Sequence, residues 1–250
     1  KLYYNYASPK VYEAVVAATT KYYVNGTPNI SNVSFVPNTG YTGTVTIGYT
    51  AYTSTGTSYN GTLKINVVEK SKYFNDVDQN ISWAIEAIDY LYEKGVINGV
   101  DTGLYSPSSN MKRGDFMIIL CKAFNLKSAY TGNFADVPIG SYYYDAIAIA
   151  KALGIAQGDG SSFSPDSPIT RQDAMVLVAR TMELKGMKLT KGNSEDLAKF
   201  TDRGQVSTYA IDAVATLVKS GIIEGSDSLL NPKGNVTRAE IAVIVYRILK

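Results

Sequence analysis

The stretch "SPDSPITRQDAMVLVAR", residues 164–180, holds a proline-rich turn, a helix-start signal and an apolar run, and it sets Arg171 on the first turn of the helix it opens. A helix N-terminus carries partial positive charge, so a cation there is mildly unfavourable on its own. Thr170 followed by Asp173 reads as a capping box, in which the threonine accepts from the N–H three residues on and the carboxylate accepts from the cap's own N–H. "VTRAEI" (236–241) repeats the box with Thr237 and Glu240. "MKRGDF" (111–116) has Lys112 in the threonine's place, which cannot accept such a bond, yet Arg113 is still there. Capping therefore accounts for the threonines and carboxylates and leaves Arg113, Arg171 and Arg238 unexplained.

Those three segments belong to an internal repeat. Phe74, Phe134 and Phe200 are each followed two positions on by Asp76, Asp136 and Asp202. An aromatic (Trp83, Tyr142, Tyr209) stands twelve residues before a glycine (Gly95, Gly154, Gly221), and a second glycine follows four later (Gly99, Gly158, Gly225). A proline (Pro107, Pro165, Pro232) then precedes each arginine by six. Repetition at such a period indicates one supersecondary unit used several times. Each unit reads as helix, glycine-bounded loop, helix. Ile85, Ile88 and Leu91 in the first copy, and Ile211, Val214 and Leu217 in the third, make the first helix amphipathic. The first glycines suit left-handed C-cap positions. The second helices, "FMIILCKAF", "AMVLVAR" and "IAVIVYRIL", are apolar on nearly every side and should be buried. One copy alone buries too little surface to be secure. Three copies sharing a core predict an all-α pseudo-threefold unit with a central helical bundle, the second helices favoured at its axis.

Residues 1–69 read differently. Thr44–Ile47 and Leu63–Val67 alternate with period two, and Gly40, Gly43, Gly56 and Gly61 punctuate short strands. Residues 8–23 fit either one short helix, with Ser8 as N-cap and Pro9 at its first position, or a strand. Glu69 to Lys72 forms a polar boundary. The expected division is 1–70, an all-β module; 73–127, 133–187 and 199–250, the three repeats; and 188–198, a linker.

Bulk composition narrows the chemistry. The chain has 250 residues, a formal net charge of +2 and no histidine, so Ser-His-Asp and Cys-His catalysis and His-based zinc sites are excluded. The small charge imbalance gives no argument for nucleic acid. Cys121, the only cysteine, sits in an apolar run and reads as an inert core residue. No stretch approaches the ~20 apolar residues of a membrane span. Residues 1–20 lack the apolar core of a signal peptide, so secretion would require a signal removed or upstream. No cofactor or metal is expected.

The repeat, F-x-D, an aromatic, G-(I/V)-(I/A)-x-G and a proline before T-R-(A/Q)-(E/D), resembles the S-layer homology domain in three tandem copies across 73–250. Lys112 is the main departure. The resemblance implies a pseudo-trimer that holds secreted bacterial surface proteins non-covalently on a secondary cell-wall polysaccharide. Its recognised sugar is implied to be pyruvylated N-acetylmannosamine, held in grooves between repeats. Residues 1–69 more loosely resemble bacterial immunoglobulin-like β-sandwich modules, on "VSFVPNTGYTGTVTIGYTAY" and "GTLKINV". The abrupt start "KLYYNYAS" reads as the C-terminal part of a longer surface protein.

Given that ligand, Arg113, Arg171 and Arg238 become candidates for its carboxylate, since helix-start N–H groups bind anions and an arginine fork adds a bidentate pair. At least two of the three are expected to bind. The alternative is pairing with Asp76, Asp136 or Asp202. Trp83, Tyr142 and Tyr209 read as core or as faces that stack on sugar, core being favoured. Gly99, Gly158 and Gly225 read as turn-makers first and backbone donors second. Lys112 adds a cation. A second class of function is self-assembly through lattice contacts with other surface proteins. An enzyme ranks third: Asp76/Asp78 and Asp159/Asp166 are carboxylate pairs, but nothing sets them apart from turn and cap residues.

Overall fold

In the computed structural model, which describes residues 1–5, 14–38 and 40–250, the alternating runs of residues 43–67 pair as a hairpin. Strands β4 (Gly43–Tyr52) and β5 (Ser58–Val67) set Val45 opposite Ile65 and Ile47 opposite Leu63. Residues 53–57 close it, with Thr53 N–H on the Thr57 carbonyl and Gly56 at φ 88°, a value that glycine adopts without strain. Cross-strand Thr44–Asn66 and Thr50–Asn60 side-chain bonds of 2.7 and 2.8 Å tie its polar positions. A second antiparallel sheet has the order β2–β1–β3, from β1 (Leu2–Tyr4), β2 (Ala14–Val15) and β3 (Val33–Phe35). The proposed helix start at Ser8 and Pro9 lies outside the described residues, and residues 14–23 contain the β2 strand and no helix. Tyr3 is the one buried hydrophobic side chain among the described residues of this unit, Lys1–Glu69.

The other unit, Lys70–Lys250, is helical. Its six helices are α1 (Ser82–Glu93), α2 (Arg113–Ala123), α3 (Tyr144–Ala152), α4 (Arg171–Leu184), α5 (Ile211–Lys219) and α6 (Arg238–Leu249). Each first helix stops at a left-handed glycine, Gly95, Gly154 or Gly221, at φ 68°, 74° and 73°. The glycine N–H and the N–H after it return to carbonyls of the last turn, as Gly95 on Tyr92 and Val96 on Leu91 at 2.9 Å each, which is a Schellman ending. Ser71, at the expected boundary, is buried in this unit and donates to Asp89 Oδ1 at 2.5 Å. Residues 188–198 carry a single 3-10 turn, Ser194–Leu197, whose Leu197 is buried and which packs on α5.

The second helix of each repeat packs on the first helix of the next: α2 on α3, α4 on α5, and α6 back on α1. α2 also contacts α4 and α6. Below the starts of these helices lies a ring of three backbone bonds. Met111 N–H donates to Val236 at 2.8 Å, Val236 to Ile169 at 3.1 Å, and Ile169 to Met111 at 2.9 Å. All three side chains are fully buried, each worth about 1.5–3 kcal/mol on removal from water. The ring fixes the three helix starts that carry the arginines.

Candidate functional site

The residue before each arginine is extended: Lys112 at φ −75°, ψ 149°; Thr170 at −75°, 156°; Thr237 at −83°, 164°. That backbone turns the first helical N–H groups toward the loop of the next repeat, whose carbonyls take them. Arg113 and Gly114 donate to Ser167 and Pro165, Arg171 and Gln172 to Gly234 and Pro232, and Arg238 and Ala239 to Ser109 and Pro107, at 2.8–3.0 Å. The Thr170 and Thr237 hydroxyls accept the N–H groups of Asp173 and Glu240 at 3.3 and 3.2 Å. The expectation that free helix-start N–H groups hold an anion is thereby narrowed: repeat-to-repeat bonds take the first two N–H groups of each helix, and caps take the third in the second and third copies only. The capping box is complete only in the third copy, where Glu240 Oε2 accepts from Thr237 N at 2.7 Å. Asp173 does not return to Thr170. It is drawn instead to Arg113 Nη1 at 3.1 Å and the Tyr209 hydroxyl at 2.5 Å.

The arginines do not pair with Asp76, Asp136 or Asp202. Those carboxylates each clamp two consecutive loop N–H groups, Tyr105/Ser106, Phe163/Ser164 and Leu230/Asn231, at 2.6–2.9 Å. The clamp holds Ser106, Ser164 and Asn231 in left-handed backbone just before the turn prolines. Each arginine reaches the next repeat. Arg113 Nε donates to the Phe163 carbonyl at 2.8 Å, and the guanidinium lies 4.8 Å over the Phe163 ring. Arg238 Nε donates to the Tyr105 carbonyl at 2.8 Å and Nη2 to that of Asn98 at 3.0 Å, with the Tyr105 ring 4.6 Å away. Arg238 pairs with no carboxylate among the described residues.

Arg171 differs. Its Nη1 donates to Glu240 Oε1 at 2.9 Å, and its Nε is buried without a partner. The residue matching Phe163 and Tyr105 is Leu230, which offers no ring. Burial lowers the Arg171 pKa, Glu240 opposes that shift, and Arg247 adds to it. A buried donor left unpaired costs about 1–3 kcal/mol.

Arg171 lines a groove of about 800 Å³ together with Trp83, the Gly225 loop, Ala239, Glu240 and Arg247. Sequence reading missed Arg247. Its signal was present: a basic residue, Lys122, Arg180 or Arg247, follows each arginine by nine positions. Trp83, Tyr142 and Tyr209 are 55%, 66% and 59% exposed, so the core reading of these aromatics is overturned. The two tyrosine hydroxyls donate to Asp115 at 2.8 Å and Asp173 at 2.5 Å, in the second helix of the preceding repeat. Burial first and Asp173 second push the Tyr209 hydroxyl up to about 12; Tyr142 is raised in the same way by burial and Asp115. Gly158 and Gly225 have φ 59° and 75°, and an added Cβ would meet the Ser162 and Leu229 carbonyls at 2.1 and 2.5 Å; Gly99 lies 2.5 Å from the Leu104 carbonyl by the same measure. They are turn-makers. Lys112 pairs with Asp166 at 3.1 Å.

The other carboxylates are engaged as turn and cap residues. Asp78 caps Asn80, and Asp159 accepts from Ser161 and Ser162. Burial raises the half-buried Cys121 thiol to about 11, which keeps it protonated and unreactive. Among the described residues no group of three His, Cys, Asp or Glu side chains is placed to hold a metal ion, and no helix is long and apolar enough to cross a membrane.

The chain matches the S-layer homology domain three times, at residues 73–117, 133–175 and 199–242, more than half of its length. It is 36% identical over 188 residues to the exoglucanase XynX of Acetivibrio thermocellus, covering 74% of this chain and 17% of that protein. It is 30% identical over 188 residues to the surface-layer 125 kDa protein of Lysinibacillus sphaericus (73% and 15%) and 31% identical over 184 residues to the S-layer protein sap of Bacillus anthracis (72% and 22%). The chain thus spans less than a quarter of each of these relatives. Three tandem domains and these relatives indicate a secreted protein attached to the cell wall at the bacterial surface. The chain belongs to the S-layer homology family.

Proposed function

We propose that this chain anchors a surface protein non-covalently by binding secondary cell-wall polysaccharide, with a pyruvylated N-acetylmannosamine-type unit seated between repeats. The observation that carries the reading is Arg171: a guanidinium on the wall of a groove, with one nitrogen on Glu240 and a buried Nε on nothing. A ketal carboxylate supplies two acceptor oxygens in the fork geometry an arginine matches. Trp83 offers an exposed indole face for the pyranose ring at the same groove. Arg113 and Arg238 occupy corresponding positions in the other junctions. Gly99, Gly158 and Gly225 shape the loops beside them.

On this reading the ring at Met111, Ile169 and Val236 marks the axis of a pseudo-threefold unit built from repeats at 73–127, 133–187 and 199–250, and residues 1–70 belong to an immunoglobulin-like module. Relatives named for different roles, an exoglucanase and S-layer proteins, share this same stretch. What they share is therefore attachment, and the reading assigns no catalysis to it.

The test is retention on purified wall polymer, native or with its pyruvate chemically removed. The parent protein should be held by native polymer and released from depyruvylated polymer, and Arg171→Ala should be held by neither. Equal retention on both polymers would remove the carboxylate from the account.

A further inference from the structure

The three junctions use the same parts and differ in what they leave free. In the second repeat, Asp173 takes Arg113 on one oxygen and the Tyr209 hydroxyl on the other. Gln172, fully engaged, donates to Tyr209 at 2.8 Å and to Ser207 at 3.1 Å. In the first, Arg238 is held by two loop carbonyls and a ring, and Tyr142 is bonded to Asp115. The third repeat keeps the arginine–acid pair, Arg171 on Glu240, and lacks the side chains that make the other ties. Trp83 replaces the tyrosine and has no hydroxyl for Glu240, Ala239 replaces Gln172, and Leu230 replaces Phe163 or Tyr105. All three replacements fall on the walls of the groove of about 800 Å³ that Arg171 also lines.

We infer that this chain binds one glycan end per molecule, in the third repeat's groove, and that tyrosine–aspartate latches close the other two junctions from within. The inference rests on the glycan reading above and narrows it from several grooves to one. Tyr209 with Gln172 is the tighter latch; Tyr142 is the looser.

Trp83 is the only tryptophan, so its emission reports the third repeat's groove in the unmodified chain. Titrating the 250-residue protein with pyruvylated N-acetylmannosamine should change that emission and release heat, both saturating at one equivalent. Tyr209→Trp with Gln172→Ala and Phe163→Leu, which gives the second junction the third's three residues, should raise the calorimetric stoichiometry to two. Trp83→Tyr with Ala239→Gln should weaken binding tenfold or more while circular dichroism stays unchanged. Two or three equivalents on the unmodified chain would overturn the single groove and leave anchoring intact. So would heat without any change in Trp83 emission, a result that needs no variant to fold. Neither heat nor emission change, together with no retention on native polymer, would sink both readings.

Discussion

Arg113 and Arg171 open corresponding helices, and each pairs with the acidic third residue of the next repeat's second helix, Asp173 or Glu240. Their surroundings part there. Arg113 is a clamp: its Nε is on a carbonyl, its plane is on a ring, and its acid is also held by Tyr209. Arg171 has none of these and lines an open groove. One motif residue thus does two jobs, and the neighbours that decide between them lie about 50–70 residues away in sequence. Glu240 could serve Arg171 without strain because its other oxygen already completes the Thr237 box.

The ring beneath the arginines does not share this asymmetry, and the largest effect is expected there. Ile169→Ala removes a fully buried side chain at a residue whose own backbone bonds to both other repeats. It should cost about 2–5 kcal/mol in urea unfolding of the helical unit. A cost confined to a few tenths would mean that the side chains packed at the ring add little to holding the starts in place.

The arginines themselves come next. Arg113→Ala strands the Phe163 carbonyl and half of Asp173, and should cost about 1.5–3 kcal/mol, the range for bonds to charged groups. Arg171→Ala gives up the bond to Glu240 Oε1 but leaves Glu240 bonded to Thr237, strands no loop carbonyl and removes an unpaired buried donor, so its cost should be smaller than that of Arg113→Ala while wall-polymer retention is lost. Matching urea midpoints for the two variants would erase the distinction between clamp and receptor.

Much of this was legible in the sequence. The repeat spacing located all six helices, the glycine C-caps and the three arginines, because each rests on local rules. The caps at Thr170 and Thr237 were legible for the same reason. What escaped was pairwise and distant. Asp173 reads as the partner of Thr170 three residues away, and only the fold brings Arg113 and Tyr209 close enough to outbid it. The helix-start N–H groups read as free because the carbonyls that take them, Pro165, Pro232 and Pro107, belong to another repeat. The aromatics read as core because residue type does not tell an exposed position at or just before a helix start from a buried one. Residues 1–69 offered strand signals that hold within the β4–β5 hairpin, where pairing is local.

The smallest effect tests whether the first repeat is merely uncapped. Lys112 has the same extended backbone as Thr170 and Thr237, and the Asp115 N–H has no acceptor among the described residues. Lys112→Thr supplies that acceptor, worth about 1 kcal/mol, and gives up an exposed ion pair with Asp166 that solvent screens. A net gain should raise the urea midpoint at neutral pH. The sign in acid is fixed by Asp166, whose carboxyl is held below its ordinary range by Lys112 first and Tyr143 second. A depressed carboxyl stabilises the fold above its unfolded pKa of about 3.9 and loses that contribution as pH falls through the lower folded value. The unmodified chain therefore surrenders the Lys112 contribution in acid, whereas the threonine variant has none to surrender and keeps its cap. The variant's advantage should widen between pH 7 and pH 3. A lower midpoint at both pH values would show that Lys112 holds the junction in a way that a cap cannot replace.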